Sequence, residues 1–103
     1  MTGDRPTMLG YFRETFLMTP AERERTRQQL LEFADRQGYR MTAIFTEGLD
    51  TQPAAIKALL ETAHRDAVAA VAFIGPETLA QIYRRDLEDA GIRVLVDGGP
   101  PRP

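Results

Sequence analysis

Ala67-Val68-Ala69-Ala70-Val71-Ala72-Phe73-Ile74, followed at once by Gly75-Pro76-Glu77, decides the fold. A strand with one wet face alternates apolar and polar residues. A strand apolar at every position is buried on both faces, which is the situation inside a parallel sheet with helices above and below. The Gly-Pro-Glu that follows ends such a strand and opens a helix, with proline at the first helical position, where its missing N–H is tolerated. One buried parallel strand therefore implies further strands and crossover helices on either side of it.

The neighbouring sequence supplies them. After Pro76 the apolar residues Leu79, Ile82, Tyr83, Leu87 and Ala90 recur at helical spacing, and Gly91 ends the helix. Ile92 to Val96 reads as a further strand. Upstream, Pro53 starts a helix with Ala55, Ile56, Leu59, Leu60 and Ala63 on one face. Before it come a loop, Glu47 to Gln52, and a strand, Tyr39 to Thr46. Thr19-Pro20-Ala21-Glu22 carries a capping-box signature, so a long helix runs from there to Gln37 and stops at Gly38. Leu30, Leu31, Phe33 and Ala34 give it an apolar face, while its first half, through Gln29, has almost nothing apolar to bury and projects into water or against a partner. Thr7 to Phe12 forms the first strand. Four strands alternate with three helices, which predicts an α/β, three-layer domain: an open four-stranded parallel sheet with three right-handed crossover helices. It spans residues 1–98, and the Gly/Pro-rich 99–103 form a mobile tail.

Composition excludes much chemistry. The 103 residues contain no cysteine and one histidine, His64, so thiolate catalysis, disulfides and His/Cys metal centres are ruled out. No cofactor is expected. Thirteen Lys and Arg against fifteen Asp and Glu give a net charge of −2, unlike the basic balance of a free-standing nucleic-acid binder. DNA is only weakly supported as a partner. No apolar run reaches the ~18 residues of a membrane span, and no signal peptide is visible at Met1 to Pro6. A cytoplasmic location and no membrane partner are expected.

In parallel sheets ligands sit beyond the carboxyl ends of the strands, where strand order reverses. That edge gathers Arg13, Glu14 and Thr15, then Glu47 to Gln52, Gly75 to Thr78, and Asp97-Gly98. It has no glycine-rich phosphate loop. It has no carboxylate at the end of the third strand for phosphorylation, and no Ser/Thr-rich flavin loop. Tyr11, Phe12 and Phe16 are candidates for stacking on bases, with Phe12 also a core candidate. Phe16-Leu17-Met18 is an apolar stretch in a loop, which either folds over the sheet edge or meets another chain. These three residues are the candidate partner-binding site.

Gly10-Tyr11-Phe12-Arg13-Glu14-Thr15 resembles the first-strand motif of the serine recombinases, the resolvase/invertase family: glycine, tyrosine, any residue, arginine, a small apolar residue, then the nucleophilic serine. The likeness continues through Ile44-Phe45-Thr46-Glu47, the helix from Pro53 to Leu60, and the valine-rich strand before Glu77-Thr78-Leu79-Ala80-Gln81. It closes on Gly91-Ile92-Arg93-Val94-Leu95-Val96-Asp97, and so covers about Leu9 to Gly98. The resemblance implies a resolvase-like catalytic-domain fold and a site that attacks a DNA phosphate. Arg13 falls on a catalytic arginine and Thr15 on the nucleophile. The family's other cations fall on Gln52 or Pro53, on Thr78 and on Gln81, none of them charged, and Glu77 keeps only the carboxylate. Family members continue after the fourth strand into a long helix and a DNA-binding domain, and the 103 residues hold the sheet domain alone. A pentacovalent phosphate needs preorganised cations, and each one lost costs about 3 kcal/mol.

The resemblance with its departures therefore leads to a non-catalytic, pseudoenzyme-like module for protein interaction or regulation, self-associating or bound to a protein partner. The alternative is a DNA-recombination enzyme using Thr15 and Arg13 for strand transfer. A third reading is an anion or small-ligand site built on Arg13, Glu77 and Thr78.

Overall fold

The computed structural model describes residues 5–49, 53–75 and 77–97. The chain runs β1 (Thr7–Arg13), α1 (Pro20–Gln37), β2 (Arg40–Glu47), α2 (Ala54–Asp66), β3 (Ala70–Ile74), α3 (Glu77–Asp89) and β4 (Arg93–Asp97). The four strands form one sheet in the order β2-β1-β3-β4, with every pair parallel. This is the expected α/β architecture. The tail at 99–103 and the loop residues 50–52 lie outside the described residues.

The two central strands are buried on both faces, and their alternation sorts the core into two layers. Leu9, Tyr11, Val71 and Phe73 point to one side, where they pack against Ile56, Leu59 and Ala63 of α2 and Leu79, Ala80 and Leu87 of α3. Met8, Phe12, Ala70 and Ala72 point to the other and meet Leu30, Phe33 and Ala34 of α1. The topology dictates this division. The connection from β1 to β2 winds one way across the sheet, and those from β2 to β3 and β3 to β4 wind the other. Crossovers of a single hand then put α1 opposite α2 and α3.

Gly10 makes the α1 layer fit. A Cβ there would come within 3.1 Å of Leu30 Cδ1 and of the Met41 methyl, so the missing side chain lets α1 sit close to β1. Thr19 caps α1 as its sequence promised: its hydroxyl accepts from the Glu22 amide, and the Glu22 carboxylate accepts from the Thr19 amide. Gly38 closes the helix in the left-handed conformation at φ 85°.

A bulge in β2 sets the register at the sheet edge. Met8 pairs with Met41 but Leu9 pairs with Ala43, leaving Thr42 as the extra residue. The Thr42 hydroxyl donates to the Met8 carbonyl. The extra residue puts Met41 and Ile44 on the same, α1 side, although they are three apart. Phe45 therefore faces α2, and so does Glu47 two residues later.

Several expectations are corrected. The apolar run at 67–74 is not strand throughout: β3 begins only at Ala70, because Ala67 is the left-handed C-cap of α2, at φ 50°. Leu31, Ile82 and Ala90 are exposed rather than part of their helices' apolar faces. Ile82 is about 60° around the helix from Leu79, toward the rim of the sheet edge. Glu47, read as loop, is the last residue of β2 and fully buried. Tyr11 and Phe12 are buried too, which removes them as base-stacking groups and leaves Phe12 in the core.

Candidate functional site

β1 and β3 are the neighbours at which the winding reverses. The loops leaving their carboxyl ends go to opposite faces of the sheet, and a crevice opens between them. A cavity of about 420 Å³ lies there. Its walls are largely apolar: Phe12, Met18 and Ile74 on the α1 side, Leu79 and Ile82 on the α3 side. Arg13, Thr15, Thr26, Thr78 and the backbone of Gly75 complete it. Gly75 takes φ +132°, a conformation open to glycine and costly for other residues. It makes the abrupt turn that brings α3 over the crevice.

Beside the cavity sits a polar chain that begins in the core. The Glu47 carboxylate accepts hydrogen bonds from the Ala55 and Ile56 amides, at 3.2 and 3.1 Å, and from the Tyr11 hydroxyl at 3.1 Å. Pro53, the N-cap of α2, has no capping side-chain hydrogen bond of its own, so Glu47 satisfies amides that would otherwise be orphaned at the start of that helix. The Tyr11 oxygen in turn accepts from Arg13 Nε at 3.3 Å. Burial pushes the Tyr11 phenol above its ordinary range, and Glu47 adds to the rise while Arg13 opposes it. The Tyr11 hydrogen bond in turn raises Arg13.

Arg13 is not in an ion pair with any described carboxylate. Glu14 is engaged by Arg23 of α1 at 2.9 Å, and Glu47 is committed as above. The first half of α1, expected to project into water or against a partner, is mostly exposed, but Arg23 and Thr26 reach back to the sheet edge, and Gln29 donates to Asp97 at the end of β4. Of the sequence candidates, Arg13, Thr15, Thr78 and Met18 come together on one cavity. The Glu77 side chain and Gln52 lie outside the described residues. His64 stands apart on α2, with Nε2 3.4 Å from Asp86 of α3.

The apolar loop divides. A turn closed by the Met18 amide on the Thr15 carbonyl, at 3.1 Å, makes Phe16 and Leu17 its two central residues. Met18 tucks against the α1-side core, whereas Phe16 and Leu17 are 86% and 82% exposed. Turn centres are usually polar or glycine, so two large apolar side chains at a tip stand out.

Glu47 is the residue that sequence reasoning missed. The signal was a carboxylate closing an apolar strand, a few residues before a helix whose N-cap, Pro53, cannot cap. Among the described residues no group of three acids or histidines could hold a metal, and no helix is long and apolar enough to cross a membrane. No family model matches this sequence, and no curated protein matches it.

Proposed function

We propose that this chain is a non-catalytic, resolvase-like binding domain that acts through protein contacts, in the first place with a second copy of itself. The observation that carries the reading is the exposed pair Phe16 and Leu17 at the tip of the β1–α1 turn. Burying them removes a large apolar surface from water, at about 25 cal/mol per Å². Two side chains per copy fall short of the ~1,600 Å² of a standard interface, so the adjoining exposed half of α1 joins them. The test is sedimentation of the wild type beside Phe16→Ser/Leu17→Ser across a wide concentration range. Concentration-dependent association that the double variant abolishes supports the reading. A wild type that stays monomeric throughout refutes it.

One observation favours a second reading, DNA strand transfer: Arg13 and Thr15 line the same cavity. Against it, Arg13 is the one cation among the described lining residues. The phosphoryl transition state needs several, at about 3 kcal/mol each. A covalent DNA adduct that forms with the wild type and not with Thr15→Ala would establish this reading, and its absence would remove it.

A further inference from the structure

The cavity at the strand reversal differs in chemistry from the loop tip that carries the protein-contact reading. We infer that it binds a small amphipathic carboxylate, with its apolar body against Phe12, Met18, Ile74, Leu79 and Ile82 and its carboxylate on Arg13. This goes beyond the protein-contact reading and stands whether or not the chain self-associates.

Four observations lead there. First, the volume of about 420 Å³ falls within the ordinary range of ligand pockets, ~300–1,000 Å³. Second, five lining side chains are apolar, and three of the polar ones are threonines, each offering a single hydroxyl. Water filling such a space finds few partners, and an apolar body displaces it favourably. Third, the one charge among the described lining residues is a guanidinium. Its Nε is held by Tyr11, and Tyr11 is held by the buried Glu47. Among the described residues its remaining N–H groups have no hydrogen-bond partner. A guanidinium anchored through one nitrogen and open at the others is preorganised for a carboxylate, which it can grip with two parallel bonds. Fourth, the charge count limits the ligand. One cation balances a monoanion, and among the described lining residues there is no second cationic side chain for the second charge of a phosphomonoester.

The polar chain from Glu47 thus serves two ends. It caps α2, and it fixes Arg13 at the cavity without spending the whole guanidinium on an internal ion pair.

The test is titration of the full chain with octanoate, followed in amide proton–nitrogen correlation spectra. Octan-1-ol and inorganic phosphate provide the apolar body and the anion separately. Octanoate is expected to give saturable shifts at the Met18, Gly75 and Thr78 amides. Arg13→Gln should weaken it by about tenfold or more, the effect of losing a hydrogen bond to a charged group. Ile82→Glu should weaken it as well, by setting a like charge at the cavity wall. Both side chains are exposed, so the variants keep the fold, and the dispersion of the same spectra checks this. Octan-1-ol should bind at least about tenfold more weakly for the same reason. The absence of saturable shifts with octanoate overturns the inference, as does equal binding by wild type and Arg13→Gln. Equal shifts from inorganic phosphate would make the site one for simple anions and overturn the amphipathic ligand. Phe16→Ser/Leu17→Ser leaves octanoate binding in place and Arg13→Gln leaves self-association in place, so the two proposals fail separately.

Discussion

Replacing Glu47 with alanine removes one carboxylate and leaves two kinds of donor stranded. The Ala55 and Ile56 amides lose their acceptor at the start of α2, and loss of a helix cap costs about 1 kcal/mol. The Tyr11 hydroxyl, on a residue with no exposed surface, keeps its proton but has nowhere to donate it. An unsatisfied buried donor costs about 1–3 kcal/mol. Together these predict a loss near 3 kcal/mol, a large share of the ~5–15 kcal/mol that holds a domain of this size. The melting temperature should drop by about 12–24 °C at ~4–8 °C per kcal/mol. An opposing effect exists, since burying a carboxylate costs several kcal/mol and alanine relieves that cost. The balance is decided by a double-mutant cycle in chemical denaturation. Tyr11→Phe alone should cost about 1 kcal/mol. In the double variant Tyr11→Phe/Glu47→Ala no hydroxyl is left stranded, so its loss should fall short of the two single losses added together by about 1–2 kcal/mol. A Glu47→Ala loss under about 1 kcal/mol, or strict additivity in the cycle, would show that the carboxylate is not holding Tyr11 and α2 together.

The raised Tyr11 phenol makes stability depend on alkaline pH. Its contribution is complete below the ordinary tyrosine range near ~10 and is lost as pH rises through the elevated folded value, so denaturation midpoints should fall there in the wild type and stay flatter in Tyr11→Phe. Thr19→Ala should cost about 1 kcal/mol through loss of the capping box, read by urea denaturation. The Thr19 amide holds the Glu22 carboxyl below its ordinary value, so its contribution is present above the usual carboxylate range and lost as pH falls through the lowered folded value; Glu22→Gln should flatten the acid limb. At Gly75 a Cβ would meet nothing within 4 Å, yet φ is +132°. Alanine and serine should therefore destabilise alike, by about 1–3 kcal/mol of backbone strain, and a large difference between them would place the cost in contacts instead.

Most of the architecture was readable because the two central strands carry an unambiguous signal. Residues 70–74 are apolar at every position, and a sheet buried on both faces requires that. The capping box at Thr19 and Glu22 and the left-handed Gly38 likewise marked α1 to its ends. Where the reading slipped, the determinant was tertiary. Nothing local distinguishes Ala67 as a left-handed cap from Ala67 as the first residue of a strand, since alanine is apolar in either role. Helical spacing put Ile82 on the apolar face of α3, but that face is wider than the sheet beneath it, and the residue at its edge meets the crevice instead. The bulge at Thr42 left no mark in the composition, and it is what turns Glu47 toward α2. Arg13 and Thr15 were found through a motif, and Thr26, in the middle of α1, joins them only because α1 packs back across β1.

The walls of this sheet edge decide what it can hold. Arg13 is the one charged side chain among the described lining residues, and Thr78 offers a hydroxyl beside it. The crevice around them is walled by Phe12, Met18, Ile74, Leu79 and Ile82. The crevice does not depend on charge to stay open. The strand reversal still forces the two loops apart, so the space persists and its walls set what it can hold. With several cations the space suits a phosphate in water; with one cation and five apolar side chains it suits an apolar body with a single negative end. The Glu47–Tyr11–Arg13 chain explains why that cation stays available. Were Glu47 paired directly with Arg13, the guanidinium would be spent. Placing the tyrosine between them fixes one nitrogen, and the amides of α2, rather than Arg13, occupy the carboxylate.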